Sequence, residues 1–198
     1  MASVVVGATG RNEDVHFKNL KRWVTGSEAP PTQPPGEGFP RIRGGHYMKD
    51  EATYLSSDTD VVYIIRHPAD VMESYYDWRN NWLKDSYGAV GTFSEFIRSE
   101  EHGIPAWVRN VESWENRWDV LVRFKHLKQS PATQLRKICN LFDREISESI
   151  IKFAVEKSSF ENMARMEEKY GKKNKPHSNS DYTFMRSGES GTGIEYFD

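Results

Sequence analysis

From residue 58 to residue 170, apolar positions alternate between short unbroken runs and stripes at helical spacing. Val61-Val62-Tyr63-Ile64-Ile65 is a β-branched and aromatic run that predicts a strand buried on both faces. Arg66-His67 ends the run, and Pro68 suits the first turn of a helix. Val71, Tyr75, Trp78 and Trp82 then recur with the spacing of one helical face. Thr92-Phe93-Ser94-Glu95 has the form of a capping box opening a second helix. Trp107, Val111, Trp114 and Trp118 line one face of a third, and Val120 to Phe124 reads as a second strand. Leu135, Ile138, Leu141 and Phe142 stripe the next helix, with Cys139 on it as packing. Ser147 caps a helix carrying Ile150, Ile151, Ala154 and Val155. Ser158-Ser159-Phe160-Glu161 repeats the capping box ahead of Met163 and Met166. Residues 169–182 read as a polar, mobile loop. Strands separated by helices predict an α/β fold, a central parallel sheet flanked by helices.

The first 50 residues carry weaker signals. Ser3 to Val6 reads as a short strand followed by Gly7-Ala8-Thr9-Gly10, and residues 12–25 as a loosely periodic helix. Residues 27–38 hold four prolines and two glycines, the composition of a linker. The chain therefore divides into an N-terminal segment, 1–39, and a domain, 40–198. A length of 198 residues fits one domain. Lys+Arg 27 against Asp+Glu 29 gives a net charge of −2, which argues against general nucleic-acid binding. One cysteine excludes a disulfide framework within the chain. No apolar run approaches the ~20 residues of a membrane span, and no signal peptide is visible, so a cytoplasmic location is expected. His67 and His126 lack ligand-like spacing partners, so no metal is expected.

Chemistry concentrates at the strand–turn–helix of residues 61–76. Arg66 is the first polar residue past a strand, at the edge where open α/β sheets bind ligands. The following helix presents a positive dipole end, and a guanidinium is a planar fork of donors suited to phosphate. Ser74 lies eight residues on, within that helix. Two readings stay open on spacing alone: Arg66 and Ser74 hold an anion, or Arg66 pairs with an acid such as Asp70.

The stretch VVYIIRHPADVMESYYDW resembles the 3′-phosphate-binding segment of sulfotransferases that use 3′-phosphoadenosine 5′-phosphosulfate (PAPS). In that family a strand runs into Arg-Asn/His-Pro-x-Asp, and a Ser follows eight residues after the Arg; Arg66 and Ser74 fit. Other segments resemble the family in the same order. Pro40-Arg41-Ile42-Arg43-Gly44-Gly45-His46 is similar to Pro-Arg-x-x-Lys-Thr-His, which implies that His46 is the catalytic base. VLVRFKHLK resembles the strand VLFLxYEDLK, which puts Phe124 at a nucleotide-contacting Tyr. Ser158-Ser159-Phe160 resembles Thr-Ser-Phe, which implies that Ser159 and Phe160 border the adenine. Phe184-Met185-Arg186-Ser187-Gly188 resembles Phe-Met-Arg-Lys-Gly, which implies that Arg186, Ser187 and Gly188 hold the 3′-phosphate. The resemblance spans about residues 40–197 and implies the P-loop-kinase-like sulfotransferase fold.

It fails where the phosphosulfate is held. The family's strand and Tyr-Pro-Lys-Ser-Gly-Thr-Thr-Trp loop have no counterpart beyond Val4 to Asn12, which contains no lysine. Gly44 replaces the Lys two before His46, and the chain ends soon after Gly188, where family members continue into a further helix. A chain that begins inside the family domain is one expectation from this. The resemblance implies transfer of a sulfuryl group from PAPS, leaving PAP, to a hydroxyl or amine of a small-molecule or peptide acceptor. The alternative is a degenerate relative that binds PAP or PAPS without efficient turnover.

Overall fold

The computed structural model describes residues 2–8, 14–16, 19–25, 41–46, 48–52, 55–84, 88–170, 182–186 and 188–197. Thr9 to Asn12 and the proline-rich 27–38 lie outside them, as do residues 171–181 of the polar loop expected over 169–182. In chain order the described elements are α1 (Ala2–Ala8), β1 (Val24–Thr25), β2 (Ile42–Arg43), β3 (Val62–Ile65), α2 (Pro68–Asn81), α3 (Phe93–Arg98), α4 (Ile104–Trp114), β4 (Val120–Arg123), α5 (Phe124–Gln129), α6 (Pro131–Cys139), α7 (Glu148–Lys157) and α8 (Phe160–Tyr170). They belong to two compact units. The first holds residues 1–46, 54–62 and 126–173, the second residues 47–53, 63–125 and 174–198.

In the first unit, residues 2–8 are helical, not the strand that three successive valines predict. Packing overrides propensity here. Val4 is fully buried in a cluster with Trp23, Cys139, Ile151 and Ala154. Gly7 lies so close to α7 that a Cβ there would sit 2.8 Å from the Phe153 ring. Among the described residues of 12–25 the expected α-helix does not form. The Asn19 side chain accepts from the His16 N–H and donates to the Asp14 carbonyl, both at 2.8 Å, so a polar side chain takes backbone partners that a helix would have used. A single 3-10 turn at Leu20–Arg22 then leads into β1. β1 pairs in parallel with β2, Val24 opposite Ile42 and Thr25 opposite Arg43. Burial pushes the Cys139 thiol above its ordinary pKa, which leaves it as inert packing.

In the second unit β3 and β4 are sheet neighbours, and Met72, Phe96 and Val122 are its most buried apolar side chains. α3 carries the capping box its sequence announces. Glu95 Oε2 accepts from the Thr92 N–H at 2.8 Å, while Thr92 Oγ1 accepts from the Glu95 N–H at 3.3 Å. α4 stops at Trp114, short of the stripe's last member. Asn116 adopts φ 58°, which ends the helix, yet Trp118 still stacks 5.4 Å from Tyr63. The β3 run is not buried on both faces. Ile64 is 55% exposed, because β-branched composition reports strand propensity and not how many faces are covered.

Candidate functional site

The second unit assembles around the first two turns of α2. β3 delivers Arg66 at its end, and β4 delivers Phe124 at its own. The two residues meet, with the Arg66 guanidinium 4.9 Å from the centre of the Phe124 ring. Phe124 therefore seats the arginine, and it opens α5 instead of closing the strand as the sequence suggests. Arg66 Nη2 donates to the Glu189 carbonyl at 3.0 Å, and its Nε lies 3.5 Å from Asp70 Oδ2. Of the two readings open in the sequence, the ion pair with Asp70 is thus present. Among the described residues Nε is buried and makes no hydrogen bond, and its charge partner is the Asp70 carboxylate it faces.

The positive end of α2 is occupied by the chain itself. His67 caps it, Nδ1 accepting from the Ala69 N–H at 3.3 Å. Asp70, 1% exposed, lies in the first turn where a negative charge is favoured. Its oxygens accept from the N–H groups of Gly191 and Gly193, each at 3.0 Å. Thr192 Oγ1 adds a bond to Glu73 Oε2 at 3.0 Å. A 120-residue excursion of the chain is thereby tied back onto α2 as a strap. Its other end is fixed by packing, since Phe184 lies 4.8 Å from Trp82 in a cluster with Tyr182. Trp82 is 3% exposed in that cluster, so it is core and not the wall of an open pocket.

Between these anchors the strap brings Arg186 to α2, with Nη1 2.8 Å from Asp77 Oδ2. Asp70, Ser74 and Asp77 are spaced i, i+4 and i+7, so they share one helix face, with Ser74 between the two carboxylates. Gly188 follows with φ 64°, in the left-handed region that glycine adopts without strain. Ser187 lies outside the described residues. Arg66, Ser74, Phe124, Arg186 and Gly188 are thus gathered in the second unit by two strand ends, one helix face and one strap.

The Asp70 carboxyl responds to opposing influences. Burial pushes its pKa up, but the Gly191 and Gly193 N–H groups and the Arg66 charge outweigh it and hold the carboxyl below its ordinary value. A carboxylate lowered in the folded state contributes stability that is complete above its unfolded pKa. That contribution is lost as pH falls through the folded value. Denaturant melts of wild type and Asp70→Asn should therefore differ by a constant amount above about pH 5, with the gap closing below about pH 4. A gap that persists at about pH 3 would show that the ionised form is not what holds the strap.

Gly193 sets the strap's closeness. A Cβ there would stand 2.4 Å from the Ala69 carbonyl carbon and oxygen and 2.5 Å from the Asp70 nitrogen, all backbone. Gly193→Ala should cost about 1–3 kcal/mol, a fall in Tm of roughly 3–10 °C for a chain of this size. A thermal melt matching wild type would mean that the strap does not press on α2.

The first unit holds the remaining candidates. His46 follows β2 in an exposed, irregular stretch after Gly44 and Gly45. Ser159 starts α8, its Oγ accepting from the Asn162 N–H at 3.2 Å, one residue later than the sequence pattern suggests. Phe160 opens α8, with Lys128 Nζ 5.7 Å from its ring centre. Residues 2–8 offer no strand-and-loop for a phosphosulfate. Gly7 serves close packing on α7, and no lysine occurs between Lys21 and Lys49, the interval that includes β1 and β2. Among the described residues no cluster of His, Cys, Asp and Glu is arranged to hold a metal, and no helix is long and apolar enough to cross a membrane.

Asp77 and the Glu189 carbonyl were not singled out from sequence. The Asp70–Ser74–Asp77 spacing was visible there, but the strap that gives it meaning is a long-range contact.

A family model described as Sulfotransferase domain matches residues 37–198. Sulfotransferase 2A1 of Rattus norvegicus is 26% identical over 114 residues, 55% of this chain and 40% of that protein. Sulfotransferase 6B1 of Danio rerio is 24% identical over 192 residues, 86% of this chain and 62% of that protein. The chain spans about half the length of the curated relatives it matches. Among solved structures, mouse sulfotransferase SULT7A1 complexed with PAP aligns with TM-score 0.54 and 20% identity, over 71% of this chain and 53% of that one. Retinol dehydratase in complex with androsterone and inactive cofactor PAP aligns with TM-score 0.53 and 20% identity, over 70% and 43%. These likenesses show the α/β sulfotransferase fold.

Proposed function

The chain belongs to the sulfotransferase domain family, and from that premise we propose that it transfers a sulfuryl group from PAPS to a hydroxyl or amine of an acceptor, releasing PAP. The observation that carries the reading is the gathering of Arg66, Ser74 and Arg186 along one face of α2, Arg66 against Asp70 and Arg186 against Asp77. Guanidinium forks and a hydroxyl are the donor set a ribose-linked phosphate requires. In this reading Arg66, Ser74, Arg186, Ser187 and the Gly188 backbone hold the 3′-phosphate. The Phe124 ring supports the Arg66 guanidinium, and Ser159 and Phe160 border the adenine.

PAPS, when bound, supplies the sulfuryl group. His46 accepts the acceptor's proton on an imidazole nitrogen, the side chain most often used as a general base. The acceptor is a small molecule or a peptide side chain. A cytoplasmic setting goes with the single buried Cys139.

A second reading, a protein that binds PAP or PAPS without efficient turnover, is favoured by one observation. No lysine occurs from residue 22 to residue 48, and Gly44 stands where family members carry one. Losing one preorganised donor to developing charge typically costs ~10²–10³ in rate. Calorimetric titration with PAP, beside transfer of label from radiolabelled PAPS to a panel of phenols, alcohols and amines, decides between them. Binding with transfer supports the enzyme, binding without transfer supports the second reading, and no binding by a folded protein removes both.

A further inference from the structure

We propose that Asp77 is a positioning residue that pins Arg186 to α2 beside Ser74, so that this guanidinium is oriented before an anion arrives. The inference rests on the sulfotransferase reading and adds a residue to it. The Asp77 carboxylate is engaged on both oxygens: Oδ2 takes Arg186 Nη1 at 2.8 Å, and Oδ1 takes Asn81 Nδ2 at 2.7 Å. Asn81 Nδ2 also reaches the Asp77 carbonyl at 3.0 Å, which locks the carboxylate to its own helix. The pair with Arg186 uses one guanidinium nitrogen, and among the described residues the other donors of the fork are left for a ligand.

The need for a pin follows from where Arg186 sits. It is exposed, on a strap whose fixed points are Phe184 against Trp82 on one side and the Gly191 and Gly193 bonds to Asp70 on the other. A free arginine loses rotamer entropy when it closes on a ligand, and a carboxylate that already holds it removes much of that cost. Asp77 is one turn from Ser74, so the pin sets the guanidinium over the helix face that carries the hydroxyl.

The test uses the full chain and two nucleotides, PAP and adenosine 5′-phosphate, which lacks the 3′-phosphate. Asp77→Ala should weaken PAP about three- to tenfold in a calorimetric titration and leave adenosine 5′-phosphate unchanged within about twofold. A merely structural loosening would weaken both ligands alike, and that result would overturn the proposal. Asp77→Asn keeps an oxygen for Arg186 and should lie between wild type and alanine. If Asp77→Asn binds PAP more tightly than wild type, Asp77 competes with the phosphate and the proposal is wrong. If wild type binds PAP and Asp77→Ala binds it equally well, the positioning role fails alone. If wild type binds no PAP, the sulfotransferase reading fails and this inference with it.

Discussion

Arg66→Ala should weaken PAP binding by about two orders of magnitude, because truncating one partner of a desolvated, charge-assisted contact costs roughly 2–5 kcal/mol. Three features of the site argue for an effect at this level. The guanidinium lies 4.9 Å from the Phe124 ring centre, so its position is constrained before any ligand binds. Its Nη2 is committed to the Glu189 carbonyl, which joins the arginine to the strap carrying Arg186 and Gly188. Its Nε faces Asp70 Oδ2 at 3.5 Å, which fixes the guanidinium from a further side. The fold should survive the substitution. Asp70 loses a charge partner at 3.5 Å but keeps the Gly191 and Gly193 N–H donors. Circular dichroism of the variant should match wild type while calorimetry shows the lost affinity. Undiminished PAP affinity would remove Arg66 from the phosphate site.

His46→Ala should lower transfer from PAPS by about 10²–10⁴ and leave PAP affinity within about twofold. The two readouts separate because the residues proposed for the 3′-phosphate lie elsewhere in sequence, from Arg66 onward. His46 is exposed and preceded by two glycines, so its removal leaves no cavity. Label transfer at the wild-type rate by the variant would assign the proton to another base. A wild type that binds PAP but transfers nothing would favour the non-catalytic reading, in which His46 has no chemistry to lose.

What could be read from the sequence was what local chemistry decides. The run into Arg66, the proline that opens α2 and the Thr92–Glu95 box of α3 each rest on neighbours within a few positions, and each is found in the structure. What could not be read was decided at long range. Val4, Val5 and Val6 favour a strand in isolation, yet burial of Val4 among Cys139, Ile151 and Ala154 makes that stretch helical. β1 is two residues long, too short to leave a periodic signal. Within the site, the Arg66 and Ser74 pair follows from a spacing of eight. The partner of Arg186 lies 109 residues earlier in the chain, and the donors to Asp70 lie more than 120 residues later. Nothing local in either segment records that they meet. Asp70 was readable only as one possible partner for Arg66, and its larger work is to receive two glycine N–H groups that no composition or periodicity reveals.

In the proposed function Arg66 and its neighbours recognise the phosphate on the 3′ carbon. The direct measurement is a pair of calorimetric titrations, PAP and adenosine 5′-phosphate, into wild type and Arg66→Ala. Wild type should prefer PAP by about a hundredfold, and in Arg66→Ala that preference should collapse to within a few-fold. A preference for PAP that survives intact in Arg66→Ala would contradict the account.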